Sequence, residues 1–136
     1  MKIIYKVQEI FNQYELKPIE VPKDYKNVYM FLFDFPEFKK NFKSEIEDCD
    51  LNEKYKLRIP TGWYGFDIGT PIVPAWMEII DKIVEACVAV DPHFQIHQIK
   101  IKFGGIRFYV HSDIIEDINE VEYLIDTTLF DKALIY

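Results

Sequence analysis

Five residues near the middle of the second half of the chain have types and spacing suited to holding an anion: Lys100, Lys102, Arg107, Tyr109 and His111. Two strand-like runs, 94–103 and 106–111, are joined by Gly104-Gly105. A Gly-Gly pair supplies the positive φ angles of a two-residue type I′ turn. With that turn, Phe103 faces Ile106, Ile101 faces Phe108 and Ile99 faces Val110, so one side of the hairpin is wholly apolar. The other side sets Lys102 opposite Arg107, Lys100 opposite Tyr109 and Gln98 opposite His111. Like charges directly opposite in a sheet are destabilising, so this arrangement calls for compensation by solvent, a carboxylate or a bound anion. Arg107 is the expected anchor, because its planar fork grips a carboxylate or phosphate with two parallel hydrogen bonds. The plainer alternative is neutralisation by acidic residues of the same chain, for which 45–50 is the candidate segment.

Two further surfaces compete with this one. Segment 113–136 holds seven acidic groups against Lys132 alone. Glu116, Asp117 and Glu120, spaced along a helix, could imitate a phosphate backbone. The same carboxylates in a first helical turn would also meet the macrodipole favourably, which needs no partner. In 61–69, glycines bracket Trp63, Tyr64 and Phe66. Trp63 and Tyr64 are residue types enriched at binding hot spots, although Trp63 could equally plug the end of the core.

Other chemistries find little support. His93, His97 and His111 with Cys87 are near one another in sequence, but the hairpin pattern sends His97 to the apolar side and His111 to the other, so no zinc site is expected. Cys87 lies on a buried helical seam and Cys49 has no histidine nearby, which argues against a Cys–His nucleophile. Asp48 and Asp50 read as an acidic loop. No P-loop or G-x-G-x-x-G string is present. The expectation is a protein without catalytic residues, metal or cofactor.

The elements that must position these residues are readable in outline. Ile3, Ile4, Val7, Ile10, Phe11 and Tyr14 recur at helical spacing. Residues 16–23, with Pro18 and Pro22, read as an irregular connector. The run 28–33 is β-branched and aromatic and suggests a buried strand. Pro36 then fits the first turn of a short helix with Phe35, Phe38, Phe42 and Ile46 on one side. Pro74 opens a helix to about Ala89, with Trp76, Ile80, Ile83 and Cys87 as its seam and Glu78, Asp81, Lys82 and Glu85 on its wet face; Pro92 lies just beyond. A last helix is expected from about Asp113, carried by Ile114, Ile118, Val121, Ile125 and Leu129. These elements imply an α+β fold, with helices packed on one face of a small antiparallel sheet that contains the 94–111 hairpin. Residues 1–136 are expected to form a single domain.

Composition sets the outer limits. The chain has 136 residues, 49% hydrophobic and 16% aromatic, enough apolar surface for a real core. No apolar run approaches the roughly eighteen residues of a membrane span, and the charged N-terminal stretch is unlike a signal peptide. Two widely spaced cysteines suit a reducing cytoplasm. The net charge is -7, and residues 67–136 carry all of the excess, with five basic and twelve acidic groups. That balance opposes general affinity for nucleic acid and permits a basic or nucleic-acid-binding protein as partner.

The string Ile99-Lys100-Ile101-Lys102-Phe103-Gly104-Gly105-Ile106-Arg107-Phe108-Tyr109 resembles the VKEKFGGLRFY signature of small proteins found in bacteria and phages. Those proteins also place a Gly-Trp pair ahead of a helix, as Gly62-Trp63 stands before Pro74. The resemblance covers residues 60–111. It implies a phage or mobile-element setting. Some members add a Cys-x-x-Cys pair suggestive of zinc; this sequence lacks it, so metal binding does not carry over. The resulting expectation is an acidic, stoichiometric inhibitor or antagonist of anti-defence or immunity type, binding a host or toxin protein, including one that itself handles nucleic acid. The alternative is nucleic-acid or nucleotide binding through the basic face of the hairpin. No membrane partner is expected, and the sequence leaves the oligomeric state open.

Overall fold

A computed structural model describes residues 1–18, 20–34, 46–68, 74–102, 105–130 and 133–135. Along the chain run α1 (Ile4–Asn12), β1 (Leu16–Pro18), α2 (Val28–Asp34), α3 (Asp48–Lys54), β2 (Gly65–Asp67), α4 (Pro74–Val90), β3 (Gln95–Lys102), β4 (Gly105–His111), α5 (Ile118–Ile125) and β5 (Ala133–Ile135). A short 3-10 turn, Lys56–Arg58, follows α3, and a π-helical turn, Asp126–Phe130, continues α5. The fold is α+β. Its larger sheet has the order β2-β3-β4 and is mixed: β3 and β4 form the expected hairpin, while β2 joins β3 in parallel. β1 and β5 form a separate antiparallel pair.

The apolar side of the sheet carries Ile96, Ile99, Ile106 and Phe108, all buried, together with Phe66 of β2. Against them lies one hydrophobic cluster that includes Val7, Ile10 and Phe11 of α1, the α4 seam of Trp76, Ile80, Ile83 and Cys87, and Val121 and Ile125 of α5. Each such side chain, fully buried, contributes about 1.5–3 kcal/mol of transfer free energy, so this cluster fixes which sheet face remains outside. Burial also pushes the Cys87 thiol up to about 12, consistent with an inert core cysteine.

Residues 16–18, expected within an irregular connector, form β1, and Asp48 and Asp50, expected in an acidic loop, lie in α3. Two further segments differ from the sequence pattern. The 28–33 run is the helix α2 and not a strand. The buried Asn27 caps it, its side-chain oxygen accepting the Met30 N–H at 2.9 Å, and Val28, Phe31 and Leu32 form a helical stripe facing the core. The final helix starts at Ile118, five residues later than expected. The Ser112 hydroxyl accepts the N–H groups of Ile114 and Ile115 and donates to Asp91 at 2.6 Å, holding that stretch in a turn. The helix expected after Pro36, with Phe35, Phe38 and Phe42, falls on 35–45 and lies outside the described residues.

The N-terminal edge of the sheet is held by α3. Asn52 bonds both backbone groups of Phe66, accepting its N–H at 2.8 Å and donating to its carbonyl at 2.9 Å, so one side chain substitutes for a neighbouring strand. Gly65 is needed there: its φ is +66°, and a Cβ would collide with Asn52 and Ile59. Asp48 accepts the N–H of Ile68 at 3.0 Å, and Asp50 accepts that of Glu47 at 3.0 Å. α3 is in turn tied to α4. Lys54 bridges Asp81 and Glu85, and the Tyr55 hydroxyl donates to Asp81 at 2.6 Å.

Candidate functional site

The hairpin register places the basic residues one pair away from the expected arrangement. Lys102 pairs with Gly105, Ile101 with Ile106, Lys100 with Arg107, Ile99 with Phe108 and Gln98 with Tyr109. Gly105 is thus a strand residue, without the positive φ of a type I′ turn. The close approach of Asp126 explains a glycine at that point: its Oδ1 would lie 3.1 Å from a Cβ there, and it accepts the N–H of Ile106 at 3.1 Å. The slip is of two residues, so alternation keeps the side chains of 98–102 and 105–111 on their expected faces. The like-charged pair directly opposite is Lys100–Arg107, and Lys102–Arg107 is not a pair.

Beyond Gln98 the ladder is irregular. The register jumps between Ile96 and Gln98, which makes His97 a bulged residue. The bulge overturns the expectation that His97 and His111 face opposite ways. Their rings lie parallel, within 2°, at a centroid separation of 6.3 Å. On the other side of His97 the Trp63 ring stacks at 4.2 Å and 6°. The Trp63 N–H bonds Pro60 across a turn whose third residue, Gly62, has φ +95°, and the Tyr64 N–H donates to the carbonyl of His97 at 3.1 Å. Trp63 is 49% exposed and Tyr64 71% exposed, so neither plugs the core. Burial and the adjacent His111 charge hold the His97 imidazole below its ordinary value.

The outer face therefore has two halves. One is a row of rings, Trp63, His97 and His111, with Tyr109 beside it, 46% exposed. The other is cationic: Lys100, Arg107 and Lys102. Lys100 reaches over the Tyr109 ring at 5.9 Å, joining the halves. Among the described residues none of these three cations forms an ion pair within 4 Å. Among the described residues the Arg107 side chain bonds only the Ile106 carbonyl, at 3.3 Å. Carboxylates stand at both ends. Asp67 is the register neighbour of Lys100 and accepts Gln98 Nε2 at 2.9 Å, whereas Asp113 lies 3.3 Å from His111. The acidic neighbours of the patch are thus Asp67 and Asp126, the latter with its Oδ1 3.1 Å and Arg107 Nη1 3.2 Å from where a Cβ of residue 105 would stand, while Asp48 and Asp50 of the 45–50 segment accept backbone N–H groups.

The acidic C-terminal segment is used differently from the mimic it resembles in sequence. Asp117 is 2% exposed and accepts the N–H of Ile3 at 2.9 Å and of Ile4 at 2.9 Å, capping α1 from more than a hundred residues away. Glu122 accepts the N–H of Phe108 at 2.7 Å, and with Asp126 it covers the outer edge of β4. Glu116 lies 3.5 Å from the N-terminal amine, and Glu120 remains exposed in the first turn of α5. Asp117 is therefore absent from any acidic surface, leaving Glu116 and Glu120 of that set.

Among the described residues no group of three or more His, Cys, Asp and Glu side chains converges as a metal site, and no helix is long and apolar enough to cross a membrane. Besides Gln98, which alternation placed there, the face holds two residues that sequence reasoning missed, His97 and Asp67. The first depended on a bulge and the last on a parallel pairing, and neither leaves a local signature. No family model, curated protein or solved structure matches the chain.

Proposed function

We propose that this chain is a non-enzymatic binding protein that occupies a protein partner stoichiometrically, as an anti-defence or immunity protein does, and that the outer face of the β3–β4 hairpin is its working surface. The observation that carries this reading is that half-buried Lys100 and Arg107 and exposed Lys102, on the outer sheet face, form no ion pair among the described residues, in a chain whose net charge is -7. Placing Lys100 opposite Arg107 opposes folding slightly, and a partner carboxylate would relieve it. Tyr, Trp and Arg side chains clustered there are the types that dominate binding energy at protein interfaces. The likeness of the hairpin string to small bacterial and phage proteins supports the antagonist setting.

A second reading, nucleic-acid or nucleotide binding by the same face, is favoured by the parallel ring row, because successive bases stack on such platforms beside cationic grooves. Capture by the tagged protein from a host-cell lysate, read by mass spectrometry and ultraviolet absorbance, separates the two. One dominant protein in near-equimolar yield, lost with Lys102→Glu, agrees with the first reading. Recovered nucleic acid without a protein transfers the conclusion to the second, and a bait that stays empty contradicts both.

A further inference from the structure

The outer face combines a ring row with a fork-bearing cation within a short distance, and the charges around it limit what length of anion can lie there. Gln98 and Tyr109 form the pair between the ring row and the Lys100–Arg107 pair. One step of two residues along a strand is about 6.8 Å, so rings and cations are separated by roughly one to two such steps. The cationic half is short: Lys100, Arg107 and Lys102 occupy two adjacent rows. Asp67 borders it on the β2 side, Asp126 stands beside Gly105 near Arg107 Nη1, and Asp113 closes the far end beside His111. A continuous phosphate chain crossing this face would meet carboxylates at both ends, in a molecule already strongly negative. A single carboxylate beside a single ring would not.

From this charge complementarity we propose that the site recognises a short protein segment presenting an aromatic side chain next to one or two carboxylates. The aromatic ring packs on the Trp63–His97–His111 row, and the carboxylate accepts the paired N–H groups of Arg107, with Lys100 adjacent. The inference rests on the protein-partner reading above and names the chemistry of the partner's epitope. Three features of the face fit this occupant. Trp63 stacks on His97 at 4.2 Å and His111 lies parallel to His97 at 6.3 Å, an ordered aromatic surface for an incoming ring to pack against. Trp63 and Tyr109 are each about half exposed, leaving area to bury. Among the described residues Arg107 has donors to spare, its side-chain hydrogen bond there going to the neighbouring Ile106 carbonyl.

The test uses the intact protein and three fluorescently labelled probes: an acidic peptide containing one central Tyr, the same peptide with Ala in that place, and a thymidine oligonucleotide of similar length. Binding is followed by anisotropy, and ring contact by quenching of the Trp63 emission. The expected result is saturable binding of the Tyr peptide with Trp63 quenching, and binding about fivefold to tenfold weaker for the Ala peptide, the size expected for one aromatic contact. Arg107→Gln should weaken both peptides, and Trp63→Phe should abolish the quenching while preserving the far-ultraviolet spectrum. Equal binding of the two peptides would overturn the aromatic part of the epitope and leave an anionic protein partner standing. Binding of the oligonucleotide alone would overturn the epitope and the protein-partner reading together. Absence of peptide binding at millimolar concentration, with stoichiometric protein capture retained, would overturn the epitope alone.

Discussion

The acidic C-terminal segment and the basic outer face of the hairpin are adjacent in sequence and opposite in how they use charge. In α5 and its flanks, Asp117, Glu122 and Asp126 are spent on backbone N–H groups: two at the start of α1 and one each on Ile106 and Phe108 at the edge of β4. These carboxylates satisfy donors that would otherwise be orphaned at a helix end and a sheet edge. On the hairpin, Lys100, Lys102 and Arg107 satisfy almost nothing within the described residues, and two of them are set directly opposite each other. A charge count alone would rank the acidic segment as the more prominent surface. Hydrogen-bond accounting reverses that order, because a charge committed to the fold is no longer available to a partner.

Substitutions should separate the two regions by what each one loses. The largest effect is expected at Asp117. Asp117→Ala strands the buried Ile3 N–H and the half-buried Ile4 N–H and should lower the unfolding free energy by about 2–3 kcal/mol in urea denaturation. Glu120→Ala, exposed in the same helix, should stay within about 0.5 kcal/mol. If the two variants matched, the distinction between spent and unspent carboxylates would fail. Next in size, Glu122→Ala frees the Phe108 N–H at the sheet edge and should cost about 1 kcal/mol, with faster amide exchange at Phe108 and partner capture unchanged. On the other side of the comparison, Lys100→Gln removes the like-charged pair. Stability should rise by a few tenths of a kcal/mol while partner capture falls, a combination that a purely structural lysine would not give.

The smallest effect concerns pH. His97 titrates below its ordinary value because of burial and the His111 charge, so the unfolded chain takes up this proton before the folded protein does. Stability from this group is therefore intact above the unfolded value of about 6.5 and declines as pH falls below it. His97→Gln should flatten that part of the pH–stability profile. Asp91 acts in the same direction at lower pH. The Ser112 and His93 hydrogen bonds hold its carboxyl below the usual range, so its contribution is full above about pH 4 and is lost as pH falls through the folded value.

Where pattern and packing agree, the sequence was sufficient. The α4 seam of Trp76, Ile80, Ile83 and Cys87 is buried as the helical spacing requires, and the two faces of the hairpin follow from alternation. The register of the hairpin did not follow, because Gly105 is explained by the approach of Asp126, a contact made from another element. The 28–33 run misled because its apolar content suits strand and helix alike, and the deciding residue, Asn27, lies just outside it. At the site, Lys100, Arg107 and Tyr109 were legible from alternation. Their neighbours Trp63, His97 and Asp67 were not, since a bulge and a parallel pairing bring them there. Asp117 was misplaced for a related reason. A carboxylate that caps a helix over a hundred residues away looks, in sequence, like one more charge on an acidic face.

The most direct test places two charge reversals side by side in one capture experiment, with urea unfolding measured on each preparation. Arg107→Glu alters the hairpin face, and the double change Glu116→Lys with Glu120→Lys alters what remains exposed of the acidic segment. The hairpin account predicts that both variants fold within about 0.5–1 kcal/mol of the parent, that the Arg107 variant loses the partner, and that the acidic-segment variant keeps it. Capture that survives Arg107→Glu and disappears with the double reversal would contradict it and make the acidic segment the working surface.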